Sequence, residues 1–529
     1  MTEAEGHRAD TESATPGSST ATVGALAVDR AVEAGKGALF IGAAKVFFML
    51  SGFVQQVLLA RLISVAALGA FGAVNSAISV VNNTIVQATI QSVSKFTAED
   101  DARAPAVQRA ALRLLTPIGM VFALAFFLGA PLIADFEKAS AYVPYYRIAA
   151  AIPLLYAIYA VYVGSANGLR RFRTQARFDM TFSAAKTVLL LGGAALMGVA
   201  GAFGGFALAA AFIVAVAVRV MGLPRTLATS PSTPTPTPTS TSPFPLGRLG
   251  AFWVTIFGYN LLLNVELLYD QPLLHHFAGM VDPTRGGIIA GHYQALRTLA
   301  LLPYQALLVV TFVIFPLISR STFAADRDAT RAYVTQTLRV ALILAAAMGV
   351  TLGARPAALI AILFRPEYGE GARALPILVV GECALALLAV SCAILNASGR
   401  PMAALTLMAT TVSTGLVAAY VLVPGSPLGP EMLVAMALAA ALGMVLGFVL
   451  SVVYIRLRLG GSAPLRTVGR VAVAVVGAVL LGRVLPGQGR IVGLGITLLV
   501  AGLYFGILVV LGELSPGDRA KFGKIIRRR

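Results

Sequence analysis

Charge is what this sequence has least of. Only 12% of its 529 residues are charged, about half of what a soluble globular chain carries, while 58% are hydrophobic. A fold surrounded by water could not hide that much apolar surface, so a soluble class is excluded and a polytopic membrane protein is implied. Acids are scarcer than bases, at 23 Asp and Glu against 41 Lys and Arg, for a net charge of +18. In a soluble protein that excess would raise the question of nucleic acid. Here its placement along the chain decides, and no nucleic-acid partner is expected. Cysteine is nearly missing. Cys383 and Cys392 lie in one apolar run, and nine residues of helix, about 13 Å of rise, put them on opposite faces, so they cannot pair within that helix. The four histidines show no i,i+4 pair and no nearby cysteine, so no metal or other cofactor is expected. No GxxxxGK[ST] occurs, which leaves the chain without an ATP-hydrolysing loop of its own. No soluble stretch is long enough to carry a catalytic constellation, and the reading is of a non-enzyme.

What is present is apolar length. About 20 apolar residues cross a bilayer as a helix. Fourteen stretches qualify, approximately 39–62, 68–92, 112–134, 143–166, 178–199, 202–222, 250–269, 287–318, 338–355, 374–396, 402–423, 431–455, 468–485 and 491–512. The eighth is long and carries Pro303. Arg and Lys gather in alternate loops: after the second span at Lys95 and Arg103, after the fourth at Arg170 and Arg171, after the twelfth at Arg456 and Arg458. Short basic loops stay in the cytoplasm. Both termini are therefore expected to be cytoplasmic. The N-terminal 1–35 lack an apolar core and read as a disordered tail; 513–529 read as a basic tail.

The segment SPSTPTPTPTSTSP, 230–243, falls between spans six and seven. Proline-rich chain is extended and cannot pack as a helix. It reads as the centre of a cytoplasmic linker, 223–249, between two halves, 36–222 and 250–458, followed by a terminal pair of spans, 459–512. The halves repeat weakly. LGAFGAVNSAIS (68–79) resembles AGHYQALRTLAL (290–301) with Gly69 set on Gly291, an offset of 222; LGAPLIADF and SANGLRRF find counterparts at 352–364 and 395–402 in the same order. An even number of spans per half gives a parallel repeat about an axis along the membrane normal. The fold class is all-α: about 14 transmembrane helices, two six-helix lobes plus two C-terminal helices.

Residues 39–100, with Ala60-Arg61, LGAFG (68–72) and SKF (94–96), resemble the opening spans of polysaccharide-exporter flippases of the multidrug/oligosaccharidyl-lipid/polysaccharide exporter superfamily. GHYQALRTLALLPYQALLVVTFVIFPLIS (291–319), LFRPEYGEGARALPIL (363–378) and NASGRP (396–401) are similar to later parts of that family, and the resemblance runs from about Leu39 to Arg458. It implies a transporter that moves a polyprenyl-diphosphate-linked oligosaccharide to the outer leaflet for surface polysaccharide such as O-antigen or lipopolysaccharide. The partners implied are that lipid-linked oligosaccharide, membrane lipids, a polysaccharide polymerase and glycosyltransferases. Other branches of the superfamily export drugs, so a cation-coupled drug or metabolite antiporter is the alternative.

An ionisable group inside a span costs on the order of 2.5–3.5 kcal/mol and is expected to face water or a partner. Four cations are so placed: Lys45, Arg147, Lys186 and Arg297. Lys45 shares a helical face with Gln56; Arg297 shares one with Tyr293, Gln294 and Tyr304. With Asn75 and Asn82 as polar lining, these make a candidate cationic cavity for a diphosphate. The alternative is that Lys45 and Arg147 snorkel to an interface and that the asparagines serve as helix–helix contacts. Glu266, Asp270 and Glu382 are candidates for ion coupling, or for structural pairing with an embedded base.

Overall fold

The structure, a computed structural model, describes residues 42–223, 244–308, 318, 322, 326–485 and 489–514. The tails and the 230–243 segment lie outside the described residues. Among those described the protein is all-α, with no strand. Twelve helices among the described residues are long and apolar enough to cross a membrane.

The first is α1, Gly42–Leu62. Ser64 then caps α2, Val65–Glu99, its side chain accepting from Ala67 N. α3 is Ala104–Phe136. α4 (Val143–Ala149) and α5 (Ala151–Gly168) form one crossing broken at Ala150, where Pro153 cannot donate to the preceding turn and crowds its carbonyl. α6, Phe172–Met221, is 50 residues long because it is two crossings joined without a loop. At Met197–Gly198 the backbone leaves the helix, with Gly198 at φ 59, a left-handed value that glycine adopts without strain. The two arms come so close that a Cβ on Gly193 or Gly201 would collide with the other's carbonyl. Sequence reasoning expects two spans here, 178–199 and 202–222; the hairpin supplies both, with its turn inside the first.

α7 (Leu246–Leu268) and α8 (Asp270–Val281) break at Tyr269, ahead of Pro272. Asp282 caps α9, Pro283–Ala300. α9 ends three residues before Pro303, and helix resumes over 302–308. The eighth expected span thus begins as α9 and is interrupted, as its proline predicts; its far end lies outside the described residues. α10 (Arg327–Gly353), α11 (Pro356–Leu363), α12 (Leu375–Ala397), α13 (Pro401–Leu422) and α14 (Pro430–Leu459) follow. The terminal pair is α15 (Leu465–Val484) and α16 (Arg490–Val510).

Helix pairing repeats in order. α3 packs on α5 and α5 on α6; correspondingly α10 packs on α12 and α12 on α14. The hairpin within α6 has its counterpart in the α13–α14 pair. α2 and α9 pack on each other at the centre. There a Cβ on Gly69 would strike the Gly287 carbonyl, and a Cβ on Gly291 would strike the Val65 carbonyl. Under the repeat offset of 222 these are the same contact made twice, residue 69 becoming 291 and 65 becoming 287. Such reciprocity is the mark of a twofold axis running between two helices.

The terminal pair packs on α10 and α11. It is fastened at one end by Glu513, which accepts from Arg339 Nε at 2.7 Å, Thr467 Oγ1 at 2.7 Å and Arg470 NH1 at 3.0 Å. At the other end Arg355 donates to the Gly482 carbonyl at 3.0 Å and to that of Leu485.

Candidate functional site

The break at Tyr269 places a carboxylate at the start of a new helix, where the unpaired N–H groups of its first turn favour negative charge. Asp270 accepts from Gln271 N through Oδ1 at 2.9 Å. Its other oxygen faces α9, where Arg297 Nε lies at 3.1 Å and Tyr293 OH donates at 3.0 Å. Arg297 is 4% exposed and Asp270 3%. A charge pair this buried is tolerable only because each member has the other; removing one partner would strand the second.

Two further carboxylates stand within Coulombic reach. Glu266, one turn before Asp270 on α7, interacts with both Asp270 and Glu382, and Glu382 on α12 interacts with Arg297. Both are buried, yet neither oxygen of Glu266 nor Oε2 of Glu382 has a hydrogen-bond partner among the described residues. Buried polar groups are nearly always satisfied, so these carboxyls are candidates for a ligand, a water or a proton. Arg297 itself commits only Nε; its two terminal amino groups make no hydrogen bond among the described residues. The lining is completed by amides. Gln271 Nε2 donates to the Ala290 carbonyl at 2.8 Å, while the side-chain oxygens of Gln271 and Gln294 are buried without partners among the described residues. Gly72 of α2 makes room for both glutamines, since a Cβ there would sit 2.8 Å from each.

The structure therefore brings Tyr293, Gln294, Arg297, Glu266, Asp270 and Glu382 together, across α7, α8, α9 and α12. The partner of Arg297 is Asp270, not Glu266. The other three embedded cations are not in this cluster. Lys45 pairs with Asp179 of α6 at 3.2 Å, and Tyr159 OH donates to the same carboxylate at 3.4 Å. Lys186, two turns further along α6, lies 4.2 Å from the centre of the Phe206 ring, a cation–π contact. Ser51 and Thr187 join α1 to α6 beside them at 3.0 Å. Arg147 is exposed, over the Phe127 ring at 5.5 Å. Asn82 is buried with its side-chain oxygen unpartnered, as is that of Gln56, and Asn75 is half-buried. The two cysteines are free, and no metal-binding group of His, Cys, Asp or Glu occurs among the described residues.

Sequence reasoning does not single out Asp179 or Glu137. A signal exists for Asp179: it is the sole acid between Glu137 and Glu266. An isolated carboxylate beside a span in so basic a chain has few reasons to be there other than pairing.

Comparison with known proteins agrees with this architecture. Residues 58–274 match a family described as "Polysaccharide biosynthesis protein". No curated protein matches by sequence. Among solved structures, the lipid II flippase MurJ in an inward closed conformation superposes with a TM-score of 0.67 at 11% identity, covering 89% of this chain and 98% of that one. An inward-facing multidrug resistance MATE family transporter of the MOP superfamily gives 0.61 at 14%, covering 80% and 98%. A MOP superfamily transporter from Pyrococcus furiosus, described as having a binding pocket of reverse polarity, gives 0.55 at 13%, covering 80% and 96%. At these identities the superpositions speak to fold, and the match over 58–274 is a likeness to that family over less than half of the chain. The chain therefore shares the fold of these transporters, and part of it, residues 58–274, is similar to the polysaccharide biosynthesis family.

Proposed function

We propose that the protein carries a polyprenyl-diphosphate-linked oligosaccharide from the cytoplasmic to the outer leaflet of the plasma membrane by alternating access of its two halves, 36–222 and 250–458. Both termini and the 223–249 linker face the cytoplasm in this reading, and glycosyltransferases and a polymerase act before and after it. The observation that carries the reading is the half-committed guanidinium of Arg297, buried at the α7–α9–α12 cluster beside the central α2–α9 seam. A diphosphate is the anion best matched to a free guanidinium fork. It would displace Asp270 from Arg297. The released Asp270 would join Glu266 and Glu382, and three neighbouring carboxylates would be offset by a proton or cation. That exchange supplies a means of coupling export to an ion gradient. Lys45, held by Asp179, and Lys186 offer a second basic set in the other half.

Arg297→Ala is expected to lower flipping at least about tenfold, the equivalent of one charge-assisted contact to a buried anion. Arg297→Lys should recover part of it, since charge returns without the fork. The readout is accumulation of lipid-linked precursor on the cytoplasmic face, normalised to protein in the membrane. If Arg297 is only structural, Arg297→Ala combined with Asp270→Ala should restore both abundance and flipping, because no stranded charge remains. Normal flipping by Arg297→Ala at full abundance would sink the diphosphate role. The second reading, a cation-coupled antiporter, draws on the three carboxylates that surround a single arginine; it requires that export of an organic cation, and not glycan flipping, fall with Glu266→Gln.

A further inference from the structure

At the end of the bundle away from the basic loops, three helices finish against side chains supplied by the other half. α3 ends at Phe136. His275 of α8 donates through Nδ1 to the Glu137 carbonyl at 2.9 Å, and His276 donates to the Phe136 carbonyl. α1 ends at Leu62. Tyr368 OH donates to the Ala60 carbonyl at 3.2 Å and Arg365 NH2 to that of Ile63 at 2.8 Å. In the reverse direction, α11 ends at Leu363, and Arg61 donates to the carbonyls of Leu363 and Ile362, each at 2.7 Å.

The last four carbonyls of a helix have no partner within it and are ordinarily met by the chain that follows or by water. Here some of them are met across the seam, and the caps run both ways. A second layer backs them. With Nδ1–H given to a carbonyl, His275 Nε2 accepts from Tyr142 OH at 2.9 Å. Tyr146 OH donates to Glu137 Oε1 at 2.8 Å, and the Glu137 side chain is fully buried with its second oxygen unpartnered. The seam is tight enough that a Cβ on Gly279 would lie 2.9 Å from Lys138 Cβ.

The geometry points to a latch: trans-capping by Arg61, Arg365, Tyr368, His275 and His276 holds this end of the protein shut, and it must release each time the cavity opens there. The inference rests on the alternating-access reading above. The bonds suit that task. Every carbonyl released on opening finds water in place of its cap, so the closed state is favoured without being locked. An apolar seam of the same extent would have to expose its whole surface on opening.

The test reads opening directly in purified protein in lipid nanodiscs. Cys383 and Cys392 are replaced by Ser, and Ala290→Cys is introduced on α9, where the native residue is fully buried beside the seam. Modification by N-ethylmaleimide should be slow. His275→Phe, which keeps ring volume but removes the cap, should speed it between about twofold and about tenfold, and Arg61→Gln should do likewise. A disulfide between Lys138→Cys and Gly279→Cys, whose Cβ atoms need only part by about 1 Å to reach bonding geometry, should suppress modification until it is reduced. Equal modification rates in all three variants, or faster modification after cross-linking, would overturn the latch. Because no substrate is used, the outcomes separate: a latch that responds in a protein that flips no lipid-linked glycan leaves the latch standing and removes the substrate assignment, while an unresponsive latch in a flipping protein removes the latch alone.

Discussion

Glu137 shows how one side chain can set a pH response for an entire seam. Burial raises its carboxyl to about 8, against the opposing hydrogen bond from Tyr146. Burial also lowers His275, while its bond to the Glu137 carbonyl works the other way. Tyr142 just ahead of α4, Tyr146 of α4 and His276 of α8 face the pair, and Lys138 follows in sequence. The signs oppose. An acid held neutral by the closed seam stabilises closure fully below its ordinary 4.5, and that contribution fades as pH rises toward about 8. A histidine held neutral stabilises closure above its ordinary 6.5 and loses that effect as pH falls. From 6.5 to 8 Glu137 therefore acts alone, and the end should open more readily as pH rises. The measurement is the ratio of Ala290→Cys modification with native Glu137 to that with Glu137→Gln, which cancels the reagent's own pH dependence. A ratio flat from pH 6.5 to 8 would show that Glu137 does not titrate in the latch. Nothing in the sequence exposes this residue: it looks like an ordinary loop acid until α8 folds over it. Asp270 and Arg297 are legible as embedded charges, but their pairing is not, since 27 residues and the break at Tyr269 decide which of two acids the arginine meets.

At the scale of elements, apolar length finds nearly every crossing, and Pro303 marks the break at Leu301; the breaks at Ala150 and Tyr269 are not read from the sequence, and proline alone does not decide, since Pro117 and Pro131 lie inside an unbroken α3. Length divides α6 into two crossings but sets the division at 200–201, past the turn at Met197–Gly198, because a hairpin without a loop has no polar punctuation. Its signal is glycine spaced for close approach. Gly193→Ala would drive a methyl group into the Gly201 carbonyl, and overpacking of this kind costs about 1–3 kcal/mol. Gly192→Ala, with nothing within 4 Å of its new Cβ, should be neutral or stabilising by about 0.5–1 kcal/mol. Thermal unfolding in detergent should separate the two neighbours clearly. Equal midpoints would mean that the arms are not packed as described.

For the molecule as a whole, orientation is the expectation that everything directional depends on. It rests on Arg and Lys in alternate loops. Cysteine placed at Ser240, in the 230–243 segment, should react with an impermeant thiol reagent only once the membrane is opened. Labelling of intact cells would reverse the direction of transport proposed here. The repeat is faint in sequence because helices tolerate almost any apolar residue on their lipid faces; what survives is the contact geometry at the axis. The reciprocal pair there, Gly69 on Gly287 and Gly291 on Val65, has a consequence for inheritance. In a homodimer with such an axis, every substitution is made twice, and each half must keep a surface that fits its own copy. Fusion into one chain ends that obligation. One side can then hold an arginine against an aspartate at its centre while the other holds a lysine, and the molecule can become polar in function while remaining symmetric in shape.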